Sequence, residues 1–383
     1  MIATAPFRPT IAEIDIRKLR RNFLSCRTFI GPDLKLMAVV KADAYGHGAV
    51  ECGRTLASEG VDWLGVATPE EALELRSAGI ETRILCLDGC WPNQELALIE
   101  NKVTAAIFEI AGAVNMDAAA RACERVVDVH IKLDTGMGRL GFRWDKLTDL
   151  IEAFKTFKNL RIEGVMTHFA SADRLAESDF TNLQVTRFHN ALDAIRAAGH
   201  TPDITDLSNS PGTIAMGANG GNLVRLGGVL YGLGDDILPQ GITKPSLEPV
   251  MSVSSQISHL KSVAAGESIG YGRTYFTKTE SRIAAVPIGY YDGYRRAFSN
   301  QAQMIVRGKL VPVVGRVSMD WTMIDVTGIP NVSLGDEVTI IGANDDVSVT
   351  AADLARLIDT ISYEVTCGVS RRVPRIFVSE RTA

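Results

Sequence analysis

Cysteine is sparse and irregularly spaced in this chain of 383 residues. Cys26, Cys52, Cys86, Cys90, Cys123 and Cys367 follow no disulfide framework; they read as reduced thiols in a cytoplasmic protein. Cys86 and Cys90 have no matching second pair, which argues against a zinc site. No uninterrupted apolar run approaches the ~18 residues of a membrane span, and the opening MIATAPFRPTIAEID lacks the apolar centre of a secretory signal. Neither sign of charge dominates: a net charge of −5 leaves no electrostatic footprint for nucleic acid or an anionic membrane. Low-complexity segments are absent too, as is any repeat beyond an alternation of strands and helices.

That alternation is what the chain does have. Thr10 to Asp15 alternates apolar and polar residues, as a strand apart from the repeat and a candidate to pack on the C-terminal domain. Ile16 to Ile30 has helical periodicity and stops at Gly31-Pro32. Eight strand candidates follow: Leu36–Val40, Trp63–Ala67, Arg83–Leu87, Val103–Phe108, Val126–Leu133, Ile162–His168, Ile204–Ser208 and Leu223–Tyr231. Helix candidates lie between them at Ala49–Glu59, Pro69–Ala78, Asn93–Glu100, Ala111–Glu124, Lys146–Thr156 and Thr181–Ala198, with a short link at Pro211–Met216. Eight βα units predict an α/β fold, a (β/α)8 TIM-type barrel over residues 1–240, with a doubly wound open sheet as the competing layout. Pro239, Gly241, Pro245 and Pro249 mark a linker. Residues 241–383 then read as a smaller all-β domain with strands at Val250–Leu260, Arg282–Val286, Met304–Val306, Val311–Val317, Met323–Val326 and Glu337–Ile341, and one helix at Ala351–Ile358.

In a barrel, chemistry belongs where strands run into the following loops. Leu36 to Gly48, LMAVVKADAYGHG, is the organising stretch: an apolar run delivers Lys41 to a strand end, and a loop rich in small residues follows. Partial burial there would lower the amine's pKa, as a Schiff-base lysine requires; a strand-capping lysine turned to water is the plainer alternative. In HIKLDTGMGRLGF, strand alternation puts His130, Lys132 and Asp134 on one face. Arg139 projects from the glycine-rich turn beyond, where it could fork a carboxylate or simply be solvated. Lys132 inside a barrel needs an anion: Asp134, a ligand phosphate, or its own carbamylation. Ser208-Asn209-Ser210 ends a strand before a helical turn, which suits a phosphate or an ordinary helix cap. Arg225-Leu-Gly-Gly-Val-Leu-Tyr-Gly232 adds a second glycine-rich strand end beside it. In the second domain, Tyr271 in Gly-Tyr-Gly, the block from Ile288 to Arg296 and the stretch from Gly315 to Asp320 read as hairpin turns on sequence physics alone.

AVVKADAYGHG resembles the pyridoxal-phosphate lysine motif of alanine racemases. HIKLDTGMGRLGF, GVMTHFASAD, SNS, VRLGGVLYG, GESIGYGRTY, IGYYDGYRR, GRVSMD and TISYEV with RRVPR resemble the same family in the same order, from about Thr10 to Phe377. The resemblance implies a head-to-tail homodimer that interconverts L- and D-alanine with pyridoxal 5'-phosphate and supplies D-alanine for peptidoglycan. It implies that Lys41 holds the cofactor as an aldimine and acts as base on one face of the substrate, with Tyr271 of the other subunit as base on the opposite face. Arg139 and the backbone of Met319, also from the partner, would bind the substrate carboxylate. Tyr45, Ser210, Gly227 and Tyr363 would hold the phosphate. Arg225 would face the pyridine nitrogen, His168 would link Arg225 to Tyr271, and Lys132 would be carbamylated. Two departures stand out: Ser318 where a cysteine is often found, and Tyr291 where a small residue is common. Tyr291 bears on substrate range.

Two other readings compete. A racemase of broader scope would be expected to carry an export signal and paired cysteines. A pyridoxal-phosphate carrier protein would resemble the first domain and lack the second, with its Tyr271. Neither fits this chain as well.

Overall fold

The computed structural model describes residues 8–379, so the first seven residues of the N-terminal segment and the last four of the chain lie outside it. Eight parallel strands close a barrel in the order Lys35–Val39, Trp63–Val66, Arg83–Cys86, Val103–Ile107, Val127–Asp134, Leu160–Met166, Ile204–Asp206 and Leu223–Leu226. The last pairs back onto the first. Strand alternation divides the side chains. Met37, Val39, Trp63, Leu85, Met166 and Leu223 fill the barrel. Leu36, Ala38 and Val40 join the larger core under the helices. Lys41 follows Val39 at the same period, so the alternation that buries Met37 and Val39 also carries the lysine to the mouth.

Local signals start the helices where side chains can satisfy free N–H groups. Asp15 accepts from the backbone of Arg17 and Lys18 at the head of Ile16–Ile30. Thr68 and Glu71 form a capping box for Pro69–Ser77. The short link after Asn209 is a true helix, Ser210–Met216, capped by Asn209 through Gly212 N–H.

The β-rich part is built on a sheet ordered Lys309–Pro312, Gln303–Val306, Glu337–Asn344, Met251–Gln256, Ile11–Asp15, Arg375–Val378. Ile11–Asp15 runs antiparallel to Met251–Gln256 and parallel to Arg375–Val378, so this strand, which precedes the barrel in sequence, belongs to the sheet of the second domain. A separate sheet joins His259–Val263, Ser281–Val286 and Thr322–Asp325. Several sequence expectations are corrected here. The strand expected over Val250–Leu260 is two strands, because the chain changes sheets at Ile257-Ser258. The strand expected to Tyr231 ends at Leu226, where Gly227 breaks the extended backbone and Gly228–Tyr231 coils into a 3-10 turn. The run Val311–Val317 holds strand only to Pro312. A second helix, Ser362–Gly368, was not anticipated, nor was the strand Arg375–Val378. Among the described residues no helix is long and apolar enough to cross a membrane, and all six cysteines are free.

Candidate active site

The lysine strand ends in an unusual turn. Ala42, Asp43, Ala44 and Tyr45 all have φ between +53° and +55°, a left-handed run without a glycine. Each such residue costs about 1–2 kcal/mol, so the turn must be held from outside. Glu71 accepts from Ala42 N–H at 2.7 Å, Asp43 accepts from Ala49 N–H at 2.8 Å, and His47 Nδ1 lies 2.9 and 3.0 Å from the carbonyls of Ala44 and Tyr45. Those two acceptors fix the His47 proton on Nδ1. Burial pulls the ring down to about 4, so it stays neutral. Glu71, part of the capping box of the helix Pro69–Ser77, thus also clamps the lysine turn, which brings Tyr45 beside Lys41. At Gly46, φ +85°, a side chain would strike the carbonyl of Thr366: the helix Ser362–Gly368 lies directly on the turn.

A cavity of about 350 Å3 opens at the C-terminal ends of the strands. Lys41, Tyr45, Lys132, Arg139, His168, Ser210, Arg225, Gly227 and Tyr363 all line it. Strand ends far apart in sequence meet there. A larger groove of about 780 Å3 lies at the opposite end of the barrel, around Arg83 and Val103, and collects none of these residues.

Four of the lining groups are cationic side chains, and their mutual field shapes the site. Burial, then Arg225 and Arg139, pull Lys132 down to about 8. Asp134 does not relieve it: that carboxylate accepts from the N–H groups of Gly136 and Gly138 and shapes the Arg139 turn instead. Burial, then Arg225, Arg139, Lys132 and Lys41, hold His168 well below the ordinary histidine range. Arg225 Nη2 donates to Thr167 O at 2.8 Å and faces His168 Nδ1 at 3.1 Å. A guanidinium only donates, so Nδ1 carries the lone pair and the neutral ring bears its proton on Nε2. The 3.4 Å approach of Asn209 Nδ2 to that nitrogen is then a contact between two donors.

Hydroxyls gather on the glycine-rich strand end. Ser210 Oγ accepts from Gly227 N–H at 2.9 Å. A Cβ at Gly227 would overlap the Tyr45 hydroxyl, and one at Gly228 the ring and hydroxyl of Tyr363. Tyr45 and Tyr363 meet edge to face at 4.9 Å. Tyr363 is steadied from below, since Asp236 accepts from Ser362 N–H at 2.5 Å and its hydroxyl at 2.8 Å, acting as a cap lent by the barrel to the helix Ser362–Gly368.

Two family profiles match this architecture: "Alanine racemase, N-terminal domain" over residues 14–235 and "Alanine racemase, C-terminal domain" over residues 250–377. The chain belongs to the alanine racemase family. It is 42% identical to the alanine racemase of Geobacter sulfurreducens over 97% of this chain and 98% of that protein. The crystal structure of the Bacillus anthracis alanine racemase with bound L-Ala-P superposes with a TM-score of 0.91 at 36% identity, over 98% of this chain and 97% of that one. The Bartonella henselae alanine racemase, solved with covalently bound pyridoxal phosphate, has a TM-score of 0.86 at 27% identity, over 97% of this chain and 99% of that one.

The residues present fit the family's cofactor. An amine stands at the barrel mouth, hydroxyls of Tyr45, Ser210 and Tyr363 converge on a backbone that tolerates no side chain, and the surrounding charge is positive. Those are the donors a phosphorylated aldehyde requires.

Two family-motif residues, Tyr271 and Met319, do not line the cavity of their own chain. Both lie in the second domain, 73% and 50% exposed. They belong to neighbouring turns: Gly270 packs against Arg316 backbone, and Met319 O accepts from Tyr291 N–H at 3.1 Å. Tyr291, the departure noted above, therefore abuts Met319. Sequence reasoning missed Asp236, whose role rests on a contact across 126 residues, and Asp206, buried beneath Arg225. An acidic residue within a buried strand was the available signal for Asp206.

Proposed function

We propose that the cavity interconverts L- and D-alanine with Lys41 as one acid/base group and Tyr271 of a second copy of the chain as the other. Alanine racemisation with pyridoxal phosphate is the chemistry of the family to which the chain belongs. Bound pyridoxal phosphate supplies an electron sink that acidifies the α-hydrogen. A racemase must deliver a proton to either face of the α-carbon, so it needs two groups on opposite sides. Lys41 serves one face, from the turn clamped by Glu71 and Asp43. Arg139 forks the substrate carboxylate, with the Met319 backbone of the second copy beside it. Tyr45, Ser210, Gly227 and Tyr363 take the phosphate. Arg225 would face the pyridine nitrogen of the bound cofactor and, being a donor only, would favour its unprotonated form. His168, neutral with its proton on Nε2, offers a donor to the Tyr271 hydroxyl and so couples it to Arg225.

The observation that carries this reading is the separation of the two bases within one chain: Lys41 lines a cavity whose lining lacks Tyr271, while Tyr271 stands 73% exposed on the other domain. A head-to-tail homodimer completes both sites. Mixing separately inactive Lys41→Ala and Tyr271→Ala proteins tests it. If Tyr271 acts across the interface, each mixed dimer has one intact site, and random exchange restores about a quarter of the wild-type racemase activity. If Tyr271 acts within its own chain, every site is damaged and the mixture stays inactive.

A further inference from the structure

Beneath the cavity floor lies a carboxylate that the reading above does not use. Asp206 ends the strand Ile204–Asp206 and is fully buried. Its Oδ1 forms an ion pair with Nη1 of Arg225, and neither of its oxygens has a hydrogen-bond partner among the described residues. Asp206 does not line the cavity, whereas Arg225 does.

We propose that Asp206 is a positioning residue, a buried counter-ion that locks the guanidinium of Arg225 so that one chosen edge of it faces the ligand. The proposal rests on the reading that Arg225 faces the cofactor ring. A guanidinium carries five N–H groups in a rigid fork. Nη2 is taken by Thr167 O and His168 Nδ1, and Nη1 by Asp206. Thr167 is itself fixed, donating to Leu133 O at 2.9 Å. No hydrogen bond from Nε is found among the described residues, so the committed edge is the one turned into the protein and the Nε edge is left for a ligand. Charge requires the same arrangement. Arg225 is 4% exposed and shares the site with Lys41, Lys132 and Arg139. A buried cation without a partner is costly, and the three carboxylates in the cavity lining, Asp88, Asp173 and Asp236, are not paired with it. Among the described residues Asp206 alone supplies an opposing carboxylate at contact distance; burial pushes its carboxyl up, and Arg225 is the foremost group that opposes the shift.

If Asp206 works through Arg225, the two must be non-additive. Asp206→Asn, which keeps size and removes charge, should lower kcat at least about tenfold and shift the visible absorbance of the bound cofactor. In an Arg225→Gln background the same change should alter both readouts less than about twofold. Holo-protein melting should follow suit, with the double variant melting above Asp206→Asn alone because no unpaired charge remains. Equal effects of Asp206→Asn in the two backgrounds, or an Asp206→Asn protein indistinguishable from wild type, would overturn the proposal. Should Asp206→Asn fail to fold, the unaltered holoenzyme labelled with 15N-arginine decides. A locked guanidinium gives separate, slowly exchanging Nη signals for Arg225, and averaged signals refute the lock. An Arg225→Gln protein with unchanged cofactor absorbance, but with those resolved Nη signals in the wild type, would sink the reading of Arg225 at the ring and leave the ion pair standing.

Discussion

Replacing Gly228 with alanine should injure the cofactor site without touching a catalytic group. The new Cβ would lie 2.5 Å from Tyr363 Cζ and nearer still to Cε1 and the hydroxyl. Ordinary contact begins at 3.4 Å, so the ring must retreat by about 1 Å. It has nowhere easy to go. Tyr45 meets it edge to face at 4.9 Å, and its helix is fastened to Asp236. Overpacking of this kind costs about 1–3 kcal/mol. Moving the hydroxyl off a phosphate removes a charge-assisted hydrogen bond of about 1.5–3 kcal/mol, or roughly ten- to a hundredfold in cofactor affinity. Pyridoxal-phosphate titration followed by absorbance gives the dissociation constant, and melting with and without cofactor gives the linked loss of stabilisation. Gly112→Ala is the control. Its Cβ would meet only Glu109 Cγ at 3.8 Å, inside the helix Ile110–Ala122, so it should stabilise by about 0.5–1 kcal/mol and leave affinity unchanged. A Gly228→Ala protein that binds cofactor within about twofold of wild type and melts at the same temperature would refute the assignment of Tyr363 to the phosphate cradle.

Other perturbations probe the rest of the site. Arg139→Lys keeps the charge and loses the fork, so KM for alanine should rise about tenfold or more with a smaller change in kcat; unchanged steady-state KM would remove Arg139 from substrate binding. Asp236→Ala deprives the helix Ser362–Gly368 of its borrowed cap, at a cost of about 1 kcal/mol in urea unfolding, and should weaken cofactor binding through Tyr363. In the cofactor-free protein Lys132 titrates near 8, against an ordinary value of 10.5. The unfolded chain therefore holds the proton between those pH values while the folded chain has lost it, and stability should rise from this group as pH climbs from 8 toward 10.5. Lys132→Met should abolish that rise in urea midpoints. The neutral amine near pH 8 is also the form that takes up carbon dioxide, releasing a proton to leave a carbamate, so the 13C spectrum of the intact protein in 13C-bicarbonate should show one carbamate signal that Lys132→Met removes.

The periodic part of the sequence carried most of the fold. Ile16–Ile30 lies within a helix of those same bounds because its apolar face and its Gly31 stop agree. The barrel strands were legible because each is a short apolar run followed by a turn, and parallel strands buried on both faces leave that mark. The β-rich half was less legible. Its strands are as short as Ser268–Ile269, its turns resemble one another, and a run such as Val250–Leu260 gives no sign that it will change sheets midway. The helix Ser362–Gly368 escaped because the Asp236 that caps it comes from the other half of the chain. Of the candidate site residues, those at barrel strand ends converge in one cavity. Which neighbour each one meets could not be read from spacing: nothing in HIKLDTG distinguishes an Asp134 that pairs with Lys132 from one that binds the N–H groups of Gly136 and Gly138.

The left-handed turn after Lys41 was the least legible element, and it explains why so many distant residues matter to one lysine. Alanine, aspartate and tyrosine at positive φ would normally argue against such a backbone, and only Gly46 and Gly48 hinted at a sharp loop. The turn exists because Glu71, Asp43 and His47 together overwhelm the local preference. Arg375, from the last strand, adds a hydrogen bond of 3.1 Å to Gly46 O. A relaxed loop could deliver a lysine to the barrel mouth, but it would also let that amine wander among the other three cations. A strained turn with external clamps has one geometry. It holds the amine of Lys41 and the hydroxyl of Tyr45 at fixed separation before any ligand arrives, so binding need not order them. Strain at this point is therefore part of the site's preorganisation, held chiefly by Glu71, Asp43 and His47 within the barrel, with Arg375 of the second domain adding one contact.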